Sequence, residues 1–125
     1  MAFFTGLIAA FAAWIINRSV VNRWGDLAVA YIVPVAEEIL KTLIAIIFGA
    51  SIFYAHFSFG VIEAIWDMKV NTKGFRPAIF SLLTHSIFGF ITIYIFWLTG
   101  FLIFGIIISI ITHIIWNSYI IRRSS

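Results

Sequence analysis

Five apolar runs, each close to the length of a membrane-spanning helix, fill most of this 125-residue chain. An α-helix rises about 1.5 Å per residue, so about 20 apolar residues cross the roughly 30 Å hydrocarbon core of a bilayer. The runs cover residues 3–21, 27–48, 52–68, 76–98 and 101–121. The sequence therefore predicts an all-α fold, a polytopic membrane helical bundle with about five transmembrane helices that form a single domain over residues 1–125.

The composition excludes several classes of protein. Hydrophobic residues make up 63% of the chain and charged residues only 10%, which is unlike a soluble domain. The net charge of +3 forms no basic stripe with interleaved aromatic residues, so we expect no nucleic-acid partner. Cysteine is absent, which removes a thiolate nucleophile, a thiolate metal site and a disulfide framework.

The basic residues indicate how the chain is oriented in the membrane. Seven of the eight lysines and arginines lie in the loop at 17–26, the loop at 69–76 or the C-terminal tail. With five spans these three segments share one side of the bilayer, and basic segments are kept on the cytoplasmic side. We therefore predict a multi-pass integral membrane protein with its N-terminus outside and its C-terminus in the cytoplasm.

The eighth cation, Lys41, lies within the second apolar run beside Glu37 and Glu38. An ionisable residue at the centre of a membrane helix costs roughly 2.5 to 3.5 kcal/mol, so three such residues need partners or a function. Glu37 and Lys41 are i, i+4 neighbours, and Lys41 is interpreted as the counter-ion of Glu37. Glu37 and Glu38 point about 100° apart around the helix, so one would act and the other support it. The sequence does not decide which of them is the base.

Three further polar residues lie at the depth of Glu37 on other helices. Glu37 and Glu63 are each 13 residues from the turn near residue 50, while His85 and His113 are each 14 residues from the turn near residue 99. Equal residue counts along a helix correspond to equal heights in the bilayer. The sequence thus predicts that four helices each bring one polar group to one level. His56, only about six residues from a turn, is assigned to the membrane interface and outside this site.

Each of these residues alone has a simpler structural interpretation. A single buried glutamate or histidine can hold helices together through hydrogen bonds, and Gly60 and Gly89 can allow close helix packing. Packing does not explain why two carboxylates and two imidazoles share one depth. These side chains are the ones most used in acid–base catalysis.

Four ordered motifs carry a resemblance to a known family. They are Glu37-Glu38-x-x-Lys41, Phe59-x-x-x-Glu63, Arg76 followed by His85-x-x-x-Gly89, and His113-Ile-Ile-Trp-Asn117. In this order and spacing the chain resembles the PrsW family of intramembrane proteases, which belongs with the type II CAAX prenyl endopeptidases and bacteriocin-processing enzymes. The resemblance covers the second to fifth runs. The chain departs from the family in its small size and in having Asn117 where some members have Asp.

The resemblance implies a hydrolase, an intramembrane endopeptidase that cleaves membrane-embedded or membrane-proximal proteins with an activated water. Glu37 would be the general base, and His85 would share the water or carry the proton to the leaving amine. His113 and Asn117 would donate hydrogen bonds to the tetrahedral oxyanion. Glu63 would orient His85 or the water, Glu38 would brace the site, and Lys41 would support it. No cofactor is required by this scheme, and the expected partners are the lipid bilayer and a membrane protein or peptide substrate.

Other functions would use the same residues. Glu63, His85 and His113 could bind Zn²⁺ with Glu37 as base, since two imidazoles and a carboxylate form a normal catalytic zinc set, although no HExxH motif is present. A proton-coupled carrier would also bury glutamate and histidine, but would spread them over depth. A non-catalytic membrane scaffold would keep them as structural groups. Five helices alone enclose a cavity only partly, and a second copy of the chain could complete the enclosure, which is compatible with a homo-oligomer.

Overall fold

The computed structural model describes residues 2–70 and 75–124, and this part of the chain is helical without strands. The helices are α1 (Ala2–Trp24), α2 (Val33–Ile47), α3 (Ile52–Val70), α4 (Phe75–Thr99) and α5 (Leu102–Ser124), with a π-helical turn at Ala28–Ile32 before α2. The all-α helical bundle predicted from the sequence is confirmed. Apart from the start of α2, the observed helix ends lie within three residues of the predicted ones. Helix α2 begins at Val33 and not at residue 27, because the π-helical turn precedes it. Lys73, which belongs to the predicted basic side, lies outside the described residues.

Three of the helices are long and apolar enough to cross a membrane. Their candidate spans are Phe3–Trp24 in α1, Phe75–Thr99 in α4 and Leu102–Arg123 in α5. Each of α2 and α3 instead carries three charged residues. Large apolar side chains cover the outside of the bundle, while the largest fully buried side chains include Lys41, His56 and Glu38. Such an apolar surface around a polar interior fits a protein surrounded by lipid.

Two predicted reversals are built on glycine. Gly49 follows α2 with φ 61°, and Gly100 follows α4 with φ 74°. This left-handed conformation costs little for a residue without Cβ and ends a helix without strain. After Gly49 the N–H of Ala50 donates to the carbonyl of Ala45 at 2.8 Å, which closes the last turn of α2. The next helix can then return beside the previous one.

The π-helical turn before α2 depends on Pro34. Proline has no N–H, and its ring does not fit the regular i to i−4 ladder, so the turn upstream of it widens. The N–H of Val33 donates to the carbonyl of Ala28, five residues back. Neither Val33 nor Pro34 is then available to the carbonyl of Val29, which instead accepts a hydrogen bond from Asn117 Nδ2 at 3.0 Å. The turn before Pro34 is thus π-helical and is held against α5.

Helices α3 and α4 pack closely and antiparallel at two glycines. A Cβ placed on Gly60 would lie 3.0 Å from the Cβ of His85, and one on Gly89 would lie 2.7 Å from the Cβ of His56. Each glycine therefore lies against a histidine of the other helix. The close approach that the sequence assigned to both glycines is found, and it positions both histidines in the bundle interior.

Candidate active site

A cavity of about 1320 Å³ lies among all five helices, and the four groups predicted at one depth line it. These groups are Glu37, Glu63, His85 and His113. Three of them are almost completely buried, while the side chain of Glu63 is 37% exposed toward the open part of the cavity. The predicted convergence of two carboxylates and two imidazoles on one chamber is found in the structure.

Glu37 faces this cavity. Its Oε1 accepts a hydrogen bond from Asn17 Nδ2 at 2.7 Å, and its Oε2 lies 4.0 Å from Nε2 of His113. Asn17 falls in the loop predicted at 17–26, and its contact with Glu37 was not predicted from the sequence. One signal was available, because Asn17 continues the buried small-residue stripe of Ala9 and Ala13 at i, i+4 spacing.

Glu38 points away from the cavity into the packed centre and is fully buried. Its Oε1 accepts from Lys41 Nζ at 2.5 Å and from His113 Nδ1 at 2.9 Å. Its Oε2 accepts from Ser109 Oγ at 2.7 Å and faces His56 Nε2 at 3.0 Å. A carboxylate with four partners has no capacity left for a substrate or water. Of the two adjacent glutamates, Glu37 is therefore the one that faces the cavity, and Glu38 has the position of a supporting residue.

Lys41 was predicted to be the counter-ion of Glu37, and this prediction is wrong. Its ammonium group contacts Glu38, three residues back, and also His85 Nδ1 at 2.9 Å. The aromatic rings of Phe59 and Phe88 flank it, with their centroids 4.7 and 5.9 Å from Nζ. Cation–π attraction and the carboxylate together compensate for burying the charge. A pair spaced i, i+3 is as close on a helix as one spaced i, i+4, so spacing alone could not choose between the two glutamates.

His85 is held at both ring nitrogens. An ammonium group can only donate, so Nδ1 of His85 accepts from Lys41 and the ring proton lies on Nε2. Nε2 in turn donates a hydrogen bond to Oε2 of Glu63. Glu63 therefore contacts His85, one of the two partners that the resemblance implied for it, and Lys41 holds the ring from the other side.

His56 was assigned to the membrane interface and outside the site, but its side chain belongs to the hydrogen-bond network around Glu38. The side chain is completely buried, with Nδ1 2.9 Å from the carbonyl of Ile52 and Nε2 3.0 Å from Glu38. Residue counting measures the height of a Cα, whereas His56 and Glu38 meet through long side chains. Ser109, which also contacts Glu38, was not singled out from the sequence, although it lies one turn before His113 on the same face of α5.

Asn117 lies on the cavity wall one turn beyond His113. One of its two amide N–H groups is used for the carbonyl of Val29, which ties α5 to the π turn. An amide nitrogen carries two hydrogens, so the second remains for the donor role that the sequence analysis assigned to Asn117. Its position is thus fixed by the backbone of another element.

The described residues contain one group of three side chains whose ligand atoms lie within 4.8 Å of one another and could hold a metal ion, formed by Glu37, His85 and His113. This differs from the set expected from sequence, in which Glu63 took the place of Glu37. The protonation inferred for His85 opposes metal binding, because the ammonium group of Lys41 uses one ring nitrogen and the proton on the other faces Glu63. A metal-bound imidazole needs a free lone pair on the ligating nitrogen.

Comparison of the chain with protein-family profiles, with curated proteins and with solved structures gives no match.

Proposed function

We propose that the protein is a multi-pass intramembrane endopeptidase that uses a glutamate-activated water. The observation that carries the proposal is the pair formed by Glu37 and His113 on the cavity wall, with Oε2 and Nε2 4.0 Å apart. Two atoms at this separation can each reach one water molecule at an ordinary hydrogen-bond distance of about 2.8 Å. Both belong to the residue types best suited to acid–base catalysis.

The orientation of His113 supports this reading. Its Nδ1 donates to the carboxylate of Glu38, so Nε2, which faces Glu37 and the cavity, is the nitrogen that carries no proton in the neutral imidazole. A buried carboxylate that holds one nitrogen of an imidazole fixes both the tautomer and the direction of the other nitrogen. His113 can therefore accept a hydrogen bond from one O–H group of the water while Glu37 removes the proton of the other.

In the proposed reaction Glu37 takes a proton from the water, and the oxygen adds to the carbonyl carbon of the scissile peptide bond. The second N–H of Asn117 is the candidate donor to the resulting oxyanion, while Nε2 of His113 accepts a hydrogen bond from the hydroxyl that has been added. When the C–N bond breaks, Glu37 returns its proton to the leaving amine. His85 and Glu63 form the adjacent wall and keep that wall polar.

The shape of the cavity supports a membrane-embedded substrate. Leu7, Phe11, Trp14 and Arg18 of α1 line it at one-turn spacings, and all four are exposed. An exposed apolar stripe that continues to a buried polar centre suits an apolar peptide segment. On the positive-inside argument, the basic ends of α1, α3 and α5 lie in the cytoplasm, with the N-terminus outside.

The test is cleavage by purified protein in proteoliposomes that contain a panel of single-span membrane proteins. We expect Glu37→Gln and His113→Ala to lower the cleavage rate at least about 100-fold while retaining the helical content of the parent. Ser86→Ala is the matched control, because this hydroxyl donates only to the carbonyl of Leu82 within its own helix. Both site variants cleaving at the parental rate, or a parent that cleaves none of the panel, would contradict the proposal.

A zinc-dependent endopeptidase is the second candidate, and the 4.8 Å grouping of Glu37, His85 and His113 favours it. Two imidazoles and one carboxylate would leave a fourth position on the metal for water. Metal analysis of the active protein and assays after chelation separate the two chemistries. We expect full activity in metal-free protein, because Lys41 and Glu63 hold His85 at both nitrogens. Activity lost on chelation and restored by Zn²⁺ would establish the zinc enzyme instead.

A further inference from the structure

A five-residue pattern occurs on both α3 and α4. It reads His56-Phe57-Ser58-Phe59-Gly60 on α3 and His85-Ser86-Ile87-Phe88-Gly89 on α4, with histidine, phenylalanine and glycine at the same three positions. Because the helices are antiparallel, the glycine of each pattern packs on the histidine of the other. Both phenylalanine rings flank Lys41. The two patterns thus enclose the buried pair of Lys41 and Glu38 from opposite sides.

Each of the two histidines contacts a different member of the buried pair. His85 contacts Lys41 at 2.9 Å on the cavity side. His56 contacts Oε2 of Glu38 at 3.0 Å on the side away from the cavity, and Ser109 donates to the same oxygen. The other oxygen, Oε1, is left for Lys41 and His113.

The plane of the Glu38 carboxylate is fixed only when each oxygen has partners on two helices, since Ser109, the other partner of Oε2, lies on the same helix as His113. Oε2 has partners on α3 and α5, and Oε1 has partners on α2 and α5. If the contact from α3 is lost, the carboxylate can turn, and the hydrogen bond to His113 Nδ1 loses its geometry. A ring released at Nδ1 can take its proton on Nε2, the nitrogen that faces Glu37.

We propose that His56 is a positioning residue, which acts through Glu38 to keep the proton of His113 on Nδ1 and so leaves Nε2 open toward Glu37. The consequence for cleavage rests on the proposed function, but the tautomer of His113 does not. His56 itself touches neither the cavity nor a substrate. Its ring lies between the carbonyl of Ile52 and the carboxylate of Glu38.

The test is ¹⁵N NMR of the histidine rings of the purified protein in detergent micelles. The chain has three histidines, so single variants assign every signal. In the parent we expect the Nδ1–H tautomer for His113. His56→Leu should convert at least about half of the population to the Nε2–H form, while His56→Gln, whose amide can still donate to Glu38, should stay close to the parent.

Cleavage provides a separate readout in the same variants. We expect His56→Leu to lower kcat about 10-fold or more with KM unchanged within about twofold, and His56→Gln to recover most of the rate. A parent in which His113 carries its proton on Nε2 overturns the proposal, even where the Leu variant does not fold. A folded Leu variant with the parental His113 signals overturns it as well. If the parent cleaves nothing but the tautomer changes as expected, the positioning role stands and the proposed endopeptidase fails.

Discussion

The regions around His85 and His56 are built from the same five-residue pattern, yet only one of them faces the cavity. The second ring nitrogen of His85 contacts Glu63, a carboxylate on the cavity wall. The second ring nitrogen of His56 contacts the backbone carbonyl of Ile52 on its own helix. The pattern therefore places a histidine beside the buried pair of Lys41 and Glu38. The partner of the other ring nitrogen, Glu63 or the carbonyl of Ile52, distinguishes the histidine that faces the cavity from the one that only supports the pair.

Helix α5 reinforces this difference. Ser109 and His113 lie one turn apart on it, and both contact Glu38. Ser109 is on the closed side with His56 and also lies 3.2 Å from the carbonyl of Phe88, while His113 lines the cavity with His85. The Glu38 carboxylate thus links a closed region, formed by His56 and Ser109, to an open region on the cavity, formed by His85 and His113. Substitutions in either region test how closely the two are coupled.

The largest effect is expected from Lys41→Met, which removes a partner from both regions at once. Glu38 and His85 would lose a contact, and a buried carboxylate would remain without its ammonium group. Removing one member of a buried ion pair typically costs about 3 to 5 kcal/mol. The free energy of unfolding in mixed detergent micelles measures the loss. Lys69→Met on the exposed end of α3 is the control, with an expected change within about 0.5 kcal/mol. A loss as small as that of the control would show that the two regions do not share this pair.

The two glycines of the pattern allow a more direct comparison. Gly89→Ala should destabilise the protein by about 1 to 3 kcal/mol, because the new Cβ would lie 2.7 Å from the Cβ of His56 and neither atom is at the end of a flexible chain. Gly60→Ala should cost less, since its nearest neighbour, the Cβ of His85, is 3.0 Å away. Thermal unfolding of both variants beside Ser86→Ala ranks them. The reverse order would mean that the cavity side is the more tightly packed of the two.

Asn117→Ala tests how the open region is fastened to the π turn. The carbonyl of Val29 would lose the hydrogen bond that replaces the missing N–H of Pro34, at an expected cost of about 1 to 2 kcal/mol. Pro34→Ala restores a backbone N–H, so the double variant should lose less stability than the two single losses combined. A double-mutant cycle of unfolding free energies measures this coupling. Strict additivity would show that Asn117 does not substitute for the N–H at position 34.

The sequence predicted the helices and the cavity residues because both follow from counting along the chain. Apolar runs fix the helix lengths, and equal distances from turns place Glu37, Glu63, His85 and His113 at one height. The partner of Lys41 could not be predicted, since two glutamates were equally near. The π turn was missed because Pro34 indicates a distortion without specifying its form. The contact of His56 with Glu38 depends on side-chain reach and helix packing, which residue counts ignore.

The smallest effect on stability is expected from Glu63→Gln. Comparison of this variant with Glu38→Gln distinguishes the open region from the buried centre most clearly. Glutamine keeps an oxygen that can accept from Nε2 of His85, and the side chain of Glu63 is already 37% exposed, so unfolding should change by less than about 0.5 kcal/mol. Glu38→Gln, an identical change of charge at a fully buried position, should be clearly destabilising, because its amide nitrogen would meet only donors where an oxygen now accepts. If the cavity is the site of chemistry, Glu63→Gln should still lower the cleavage rate about 10-fold, because a neutral amide orients His85 less firmly than a carboxylate does. Measured side by side, Lys69→Met and Glu63→Gln should therefore have nearly equal stability, whereas only Glu63→Gln should lower the cleavage rate. A parental rate in Glu63→Gln would remove this carboxylate from the mechanism and leave His85, like His56, as part of the support around the buried ion pair.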